Sequence, residues 1–366
     1  MKQLKNRYLS LDIFRGIDIA LMIIVNSPGK SSTTFSPLLH AQWHGFTLTD
    51  LVFPTFLFIV GNSMSFSMRK YETLSNKIFL TKVVKRTLII FLLGYLMYWY
   101  PFFENGELKS LSETRIFGVL QRIALCYFFA SIILRFFKMK SAIIFSVMAL
   151  LSYQIILVFF GDLSLSGNAV LKLDTWLIGS SHMYHGDGIA FDPEGLLSTL
   201  PAIVNIIAGY IAGVFLQRSG QNYKTIAQMT MLGSLLIFIA LGWDLFFPIN
   251  KKLWTSSFVL LTIGIDLIVL SILVYLLDIL KKIKWTYFFE VLGKNPLFIY
   301  LLSEILVITL YQFKLKGIVA YDWIAENIFI SWLGGYAGSF AFALSIMLSC
   351  WVIGYLMDKK KIYIKI

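Results

Sequence analysis

Charge is scarce in this chain. Asp, Glu, Lys and Arg make up 14% of its 366 residues, roughly half of what a soluble domain carries. Apolar types make up 58%, so a soluble enzyme and a disordered chain are both excluded. Cysteine is scarcer still. Cys126 and Cys350 are the two. Each sits inside an apolar run, which excludes a disulfide framework and gives no support to a Cys-based zinc site. There is no Gly/Ser linker, no low-complexity tract and no internal repeat, so solenoids are excluded and one domain over 1–366 is the simplest partition. The dinucleotide fingerprint, the P-loop, HExxH and GxSxG are all missing.

What the chain has is long apolar runs. They lie at about 13–27, 48–68, 87–101, 116–134, 141–160, 195–216, 226–247, 254–278, 287–312 and 337–357. Each is near the length of a membrane crossing. The expectation is an all-α, polytopic membrane helix bundle of about ten transmembrane helices. The stretch 317–336 carries Asp322 and Glu326 and reads as interfacial or re-entrant. The first run begins like a signal peptide, but Asp18 interrupts its apolar core and no small-x-small cleavage site follows, so it reads as a retained span.

The net charge is +12. In a soluble protein that would suggest nucleic acid. Here the basic residues sit in short loops, and orientation in the membrane explains them without a nucleic-acid partner. Alternate loops form two sets. The N-terminus, 69–86, 135–140, 217–225, 279–294 and the C-terminal tail together hold 22 Lys and Arg, and the other set holds 8. Positive-inside then puts both termini in the cytoplasm.

Polar residues inside apolar runs are expensive and therefore informative. Asp12, Arg15, Asp18 and Asn26 fall on one stripe of the first span, and Arg15–Asp18 could be a structural ion pair. The next loop runs from Asn26 to Asp50 and contains His40, Trp43 and His44. The i, i+4 histidines lack a convincing third zinc ligand, and a base role near neutral pH suits one of them better. Arg115 stands just ahead of the fourth run, which carries Gln121 and Arg122; Arg122 is a candidate for an anion or for an internal carboxylate. The longest outer loop, 161–194, contains His182, His185 and Asp187, a weak metal candidate, and ends on Asp192, Pro193 and Glu194. Asp192 can cap the following helix with Pro193 in its first turn. Asn250, and Asn295 within Gly293-Lys294-Asn295-Pro296, mark further span ends.

Six stretches carry a resemblance. "YLSLDIFRGIDIALMIIVN", "LLHAQWHGFTLTDLVFPTFLFIVG", "RIFGVLQRIALCY", "HMYHGDGIAFDPEGLLSTLPAI", "NKKLWTSSFVLLTIG" and "GKNPLFIY" occur in this order. Together they resemble the catalytic membrane domain of the heparan-α-glucosaminide N-acetyltransferase family and its bacterial relatives. Six motifs in register are specific for the family and less so for the substrate. The lysosomal members carry a lumenal domain and a membrane helix ahead of the part that this chain resembles.

The resemblance implies a transferase that takes acetyl groups from cytosolic acetyl-CoA and gives them to an amino-sugar nitrogen across the membrane. It implies His40 as the active-site histidine, acting as base or as acetyl carrier, with Asn26 beside the thioester. Asp50, at the start of the second span, is a further catalytic candidate. Arg15, Arg122, Gln121 and Asn295 are candidates for the CoA side. Trp43, His44, His182, Asp192, Glu194 and Asn250 are candidates for the acceptor side. No metal is expected. The expected surroundings are membrane lipid of a bacterial cytoplasmic membrane, an amino-sugar acceptor and a possible homodimer. The alternative is an amino-sugar transporter, because buried charges in a helix bundle suit that role too. Against it, no inverted repeat is visible between the halves and the histidines cluster in outer loops.

Overall fold

The computed structural model describes residues 8–104 and 106–364. Each of the ten apolar runs is helical over most of its length. In chain order the helices are α1 (Leu9–Asn26), α2 (Leu48–Tyr71), α3 (Asn76–Trp99), α4 (Val119–Phe136), α5 (Met139–Phe160), α6 (Ala169–Ile178) and α7 (Leu196–Ser219). They continue with α8 (Tyr223–Asp244), α9 (Ser256–Leu273, running on as π-helix to Ile279), α10 (Thr286–Lys294) and α11 (Pro296–Gln312). The series ends with α12 (Ala320–Ile324), α13 (Ser331–Leu333) and α14 (Gly335–Lys359). Two short hairpins, β1–β2 (Phe103–Glu104 with Glu107–Leu108) and β3–β4 (Lys314–Leu315 with Ile318–Val319), decorate the loops. Among the described residues, seven helices are long and apolar enough to cross a membrane, or eight if α10 and α11 are one broken span. α1 carries Asp12, Arg15 and Asp18, and α3 opens with Lys77, Lys82, Lys85 and Arg86, so neither qualifies on composition.

The run 287–312, read from sequence as one span, is two helices bent by 83°. Proline explains the break. Pro296 offers no N–H, and its ring disfavours the helical region for the residue before it. Asn295 therefore leaves the helical region (φ −130°, ψ 53°). The stretch 317–336 forms a hairpin strand and the short helical pieces up to Leu333, which stop at Gly334 (φ +82°).

Close contacts sort the loops onto two ends. At one end Arg135 bonds Tyr71 and Leu74 carbonyls, Arg69 reaches Gln217, Tyr8 packs on Phe66 and Lys294 pairs with Asp358. At the other end Gly45 donates to the Ile249 carbonyl, His182 meets the Thr114 carbonyl, Trp43 reaches Leu163 and Thr33 meets Ser339. The lysine-rich loop set and the lysine-poor set thus occupy opposite ends, and the first and last described residues share the lysine-rich one. Lys2, Lys5, Arg7 and Lys365 of that set lie outside the described residues.

Small residues let the central helices touch. A Cβ on Gly61 would lie 1.9 Å from the Ile206 carbonyl oxygen, and one on Gly209 would lie 1.9 Å from that of Phe58. α2 and α7 therefore pack backbone to backbone, as membrane helices with small interface residues do.

Candidate active site

The site begins with how α2 starts. Thr47 and Asp50 form a capping box: Asp50 Oδ2 accepts from the Thr47 backbone N–H at 3.0 Å. The same oxygen accepts from the Ala41 N–H at 3.1 Å. This buried carboxylate is fixed before it does anything else. Its other oxygen, Oδ1, lies 2.7 Å from His40 Nδ1. An ionised Asp50 makes Nδ1 the protonated nitrogen and leaves the Nε2 lone pair free.

A loop from the other half of the chain meets the imidazole. Lys251 Nζ is 3.2 Å from His40 Nδ1 and 3.3 Å from Nε2. Near-equal distances place the amine off either lone-pair axis, so Nε2 is not consumed by it. Asn250 builds this loop. Its N–H donates to Thr255 Oγ1 at 3.0 Å, and its side-chain oxygen accepts from the Leu253 N–H at 2.8 Å. Trp254 follows at φ +53°, fully buried, with its indole N–H on Asn205 at 3.1 Å. A positive φ on so large a residue is costly and persists because its surroundings fix it.

His40, Lys251, Asn26, Glu194 and Tyr300 line one cavity of about 50 Å³. Asn26 Nδ2 donates to Glu304 at 3.1 Å, which sets the amide's orientation. Arg115 holds the acidic pair: it meets both oxygens of Asp192 at 2.7 and 2.9 Å and Glu194 at 2.7 Å, between Tyr98 and Tyr184. Burial pulls the Glu194 carboxyl up, but Arg115, Arg122 and Lys251 outweigh it and hold it below the usual range. Burial lowers the His40 imidazole, and Lys251 adds to this against the opposing pull of Asp50. Burial also lowers the Lys251 amine, against Glu194 and Asp50.

A second cavity of about 290 Å³ contains Arg15, Arg86, Ser63 and Tyr127. Apart from Ser67, its other walls are apolar side chains of α2, α3, α4 and α11. The two cavities draw on the same four helices, from adjacent turns of α2, α4 and α11 and from opposite halves of α1. α1 gives Asn26 to one and Arg15 to the other, α2 Phe53 and Phe56, α4 Val119 and Ile123, and α11 Tyr300 and Leu297.

The remaining expected residues have other surroundings. Arg122 is wholly buried in the half of α4 that faces the lysine-poor end. It bonds the Gly195 carbonyl and Ser198 and lies over Trp254 at 4.8 Å. Gln121 is buried against Gly94. Asn295 holds the C-terminal tail through Ile362 and Ile364. Trp43 donates to the Leu163 carbonyl and packs on Phe191. His44 is exposed, 3.4 Å from Asn250. His182 bonds the Thr114 carbonyl at 2.8 Å, and Asp187 pairs with Lys252. Asp192 does not cap α7, which starts at Leu196. Asp192 Oδ1 accepts instead from the Glu194 N–H at 3.0 Å, ahead of the helix, and the Leu196 N–H at the start of α7 donates to Asp174 at 3.0 Å. Arg15 contacts Asp12, Ser63 and the Gly293 carbonyl; it does not pair with Asp18.

Sequence reasoning missed Lys251, Tyr300 and Glu304 as site residues. Lys251 had a signal: it belongs to a basic pair in the lysine-poor loop set, next to Asn250. Tyr300 and Glu304 had only their polarity inside an apolar run.

Fold and site define a multi-pass membrane protein with a His–Asp pair at one end of its helix bundle. The chain belongs to the heparan-alpha-glucosaminide N-acetyltransferase catalytic family, whose model matches residues 7–247. It is 28% identical to the heparan-alpha-glucosaminide N-acetyltransferase of Mus musculus over 99% of this chain, and 28% identical to that of Homo sapiens over 100% of it. It spans 61% of the length of each of these relatives. Lys251, Tyr300 and Glu304 lie beyond the family-model match and within the span aligned to the relatives.

Proposed function

We propose that this chain is an integral membrane N-acetyltransferase with ten spans and both termini cytoplasmic. It moves an acetyl group from cytosolic acetyl-CoA to the amine of a glucosamine-like sugar on the extracytoplasmic side of a bacterial cytoplasmic membrane. The observation that carries the reading is the stacking of the two cavities along α1, α2, α4 and α11, with a basic one below and a His–Asp pair above. CoA cannot cross a bilayer, since its phosphates are charged. An acetyl thioester on a long, slender arm can span the distance between two stacked cavities.

The chemistry follows from the residues. Arg15 and Arg86 suit phosphate oxygens, and the apolar walls beside them suit the pantetheine arm. Glu194 attracts the acceptor's ammonium. The ammonium releases one proton to solvent, and the neutral amine attacks the thioester carbonyl carbon while His40 Nε2 takes its second proton. Negative charge grows on the carbonyl oxygen, where the Asn26 amide, oriented by Glu304, donates. The C–S bond then breaks, and His40 returns the proton to the leaving thiolate. Direct transfer gives intersecting initial-rate lines. A covalent acetyl-His40 would give parallel lines and a labelled protein without acceptor.

The test is purified protein with acetyl-labelled CoA and a panel of amino sugars. Acetylated sugar is expected from the wild type and its loss is expected from His40→Ala, with nucleotide protection retained. Full activity in that variant removes His40 from the chemistry. Sugar uptake into vesicles without any donor would favour a transporter.

A further inference from the structure

The proposed reaction requires a primary amine beside the His40 imidazole and within reach of a thioester. The folded chain already supplies one. Lys251 Nζ lies 3.2 and 3.3 Å from the two ring nitrogens, and its side chain lines the same small cavity as Asn26 and Glu194. The amine is not there by chance flexibility. Asn250, Thr255 and the buried Trp254 hold the backbone on both sides of it. Tyr153 adds a hydroxyl bond to the Leu253 carbonyl.

We infer that Lys251 is a self-acetylation site: with donor bound and no acceptor present, the enzyme transfers the acetyl group to its own Lys251 Nζ. This rests on the acetyltransferase reading above. The step balances. A rotation of the lysine side chain brings Nζ onto the Nε2 lone pair; His40 takes one proton from the neutral amine, the Nζ–C bond forms, the C–S bond breaks, and the proton passes to the departing CoA thiolate. The products are an Nζ-acetyl amide and free CoA. The acceptor amine must approach the same imidazole, so acceptor and Lys251 compete for one acetyl group. Once formed, the amide no longer carries a nucleophile or a cation. The added acetyl group occupies a cavity of about 50 Å³, so the site closes. Burial assists, because it lowers the amine and raises its unprotonated fraction. An amide is stable where an acetyl-imidazole is labile, so the modification accumulates and is distinguishable from a His40 intermediate.

The experiment uses the full chain in detergent with acetyl-labelled CoA and no sugar, followed by peptide mass spectrometry. One acetyl group on the Lys251 peptide, resistant to hydroxylamine, is expected. It should be absent from His40→Ala and reduced when glucosamine is present. Preincubation with donor alone should then progressively lower sugar acetylation. Lys251→Arg, which keeps a cation but lacks the primary amine, should lose the label. Sugar acetylation without label on Lys251 overturns the inference, as does label spread evenly over lysines or unchanged in His40→Ala. Absence of both sugar and Lys251 acetylation overturns the transferase reading itself.

Discussion

A histidine can act as base only while it is unprotonated. At His40, burial comes first in lowering the imidazole, Lys251 adds to it, and Asp50 and Glu194 oppose. The acid limb of the pH–rate profile for sugar acetylation should therefore lie below the ordinary histidine value of about 6.5. Lys251→Met removes a cation that disfavours the imidazolium, so it should move that limb to higher pH. An unmoved limb would mean that the lysine does not act on the imidazole. Asp50→Asn is a different perturbation. It removes the acceptor that fixes the Nδ1–H tautomer, and the turnover number should fall roughly 10²–10⁴-fold. Donor protection of the inner loops should persist. Loss of both together would assign Asp50 to folding through the capping box and not to catalysis.

At the scale of elements, α2 does most of the positioning. Its first turn holds His40, its first two turns wall the smaller cavity and its middle walls the larger. Its seat against α7 depends on Gly61 and Gly209. Gly61→Val should push the helices apart at an overpacking penalty of about 1–3 kcal/mol or more. A lower Tm in detergent and reduced acetylation are expected. Gly242→Ala on α8, where an added Cβ meets open space, should leave both near wild type. Equal Tm values for the two variants would contradict the close-packing account.

Legibility in the sequence followed the same division. Helical runs were readable because apolar length alone sets them. Apolar length does not encode the bend at Asn295, although Pro296 is its visible cause. His40 and Asp50 were readable because ten residues separate them. Lys251 stands more than 200 residues from His40 and meets it only after α9 has packed, which no local pattern encodes. The start of α7 is met by Asp174, 22 residues away in sequence and beyond the reach of any local pattern.

Across the whole molecule, the proposed reading divides the labour between the two cavities, and that division can be measured. Arg86 belongs to the basic cavity and lies over Tyr127 at 4.7 Å. Glu194 belongs to the cavity beside His40. A hydrogen bond to a charged group contributes about 1.5–3 kcal/mol. Arg86→Gln should therefore raise the KM for acetyl-CoA by about 10–100-fold and leave the KM for the sugar nearly unchanged. Glu194→Gln should do the reverse, because the lost charge faces the acceptor's ammonium and not the nucleotide. The separation must also have a side. In sealed vesicles of uniform orientation, donor should be effective from the face bearing the lysine-rich loops and sugar from the other. If both variants changed both constants equally, or if donor and sugar worked from the same face, one shared site would replace two stacked ones. The acetyl group would then have no membrane to cross.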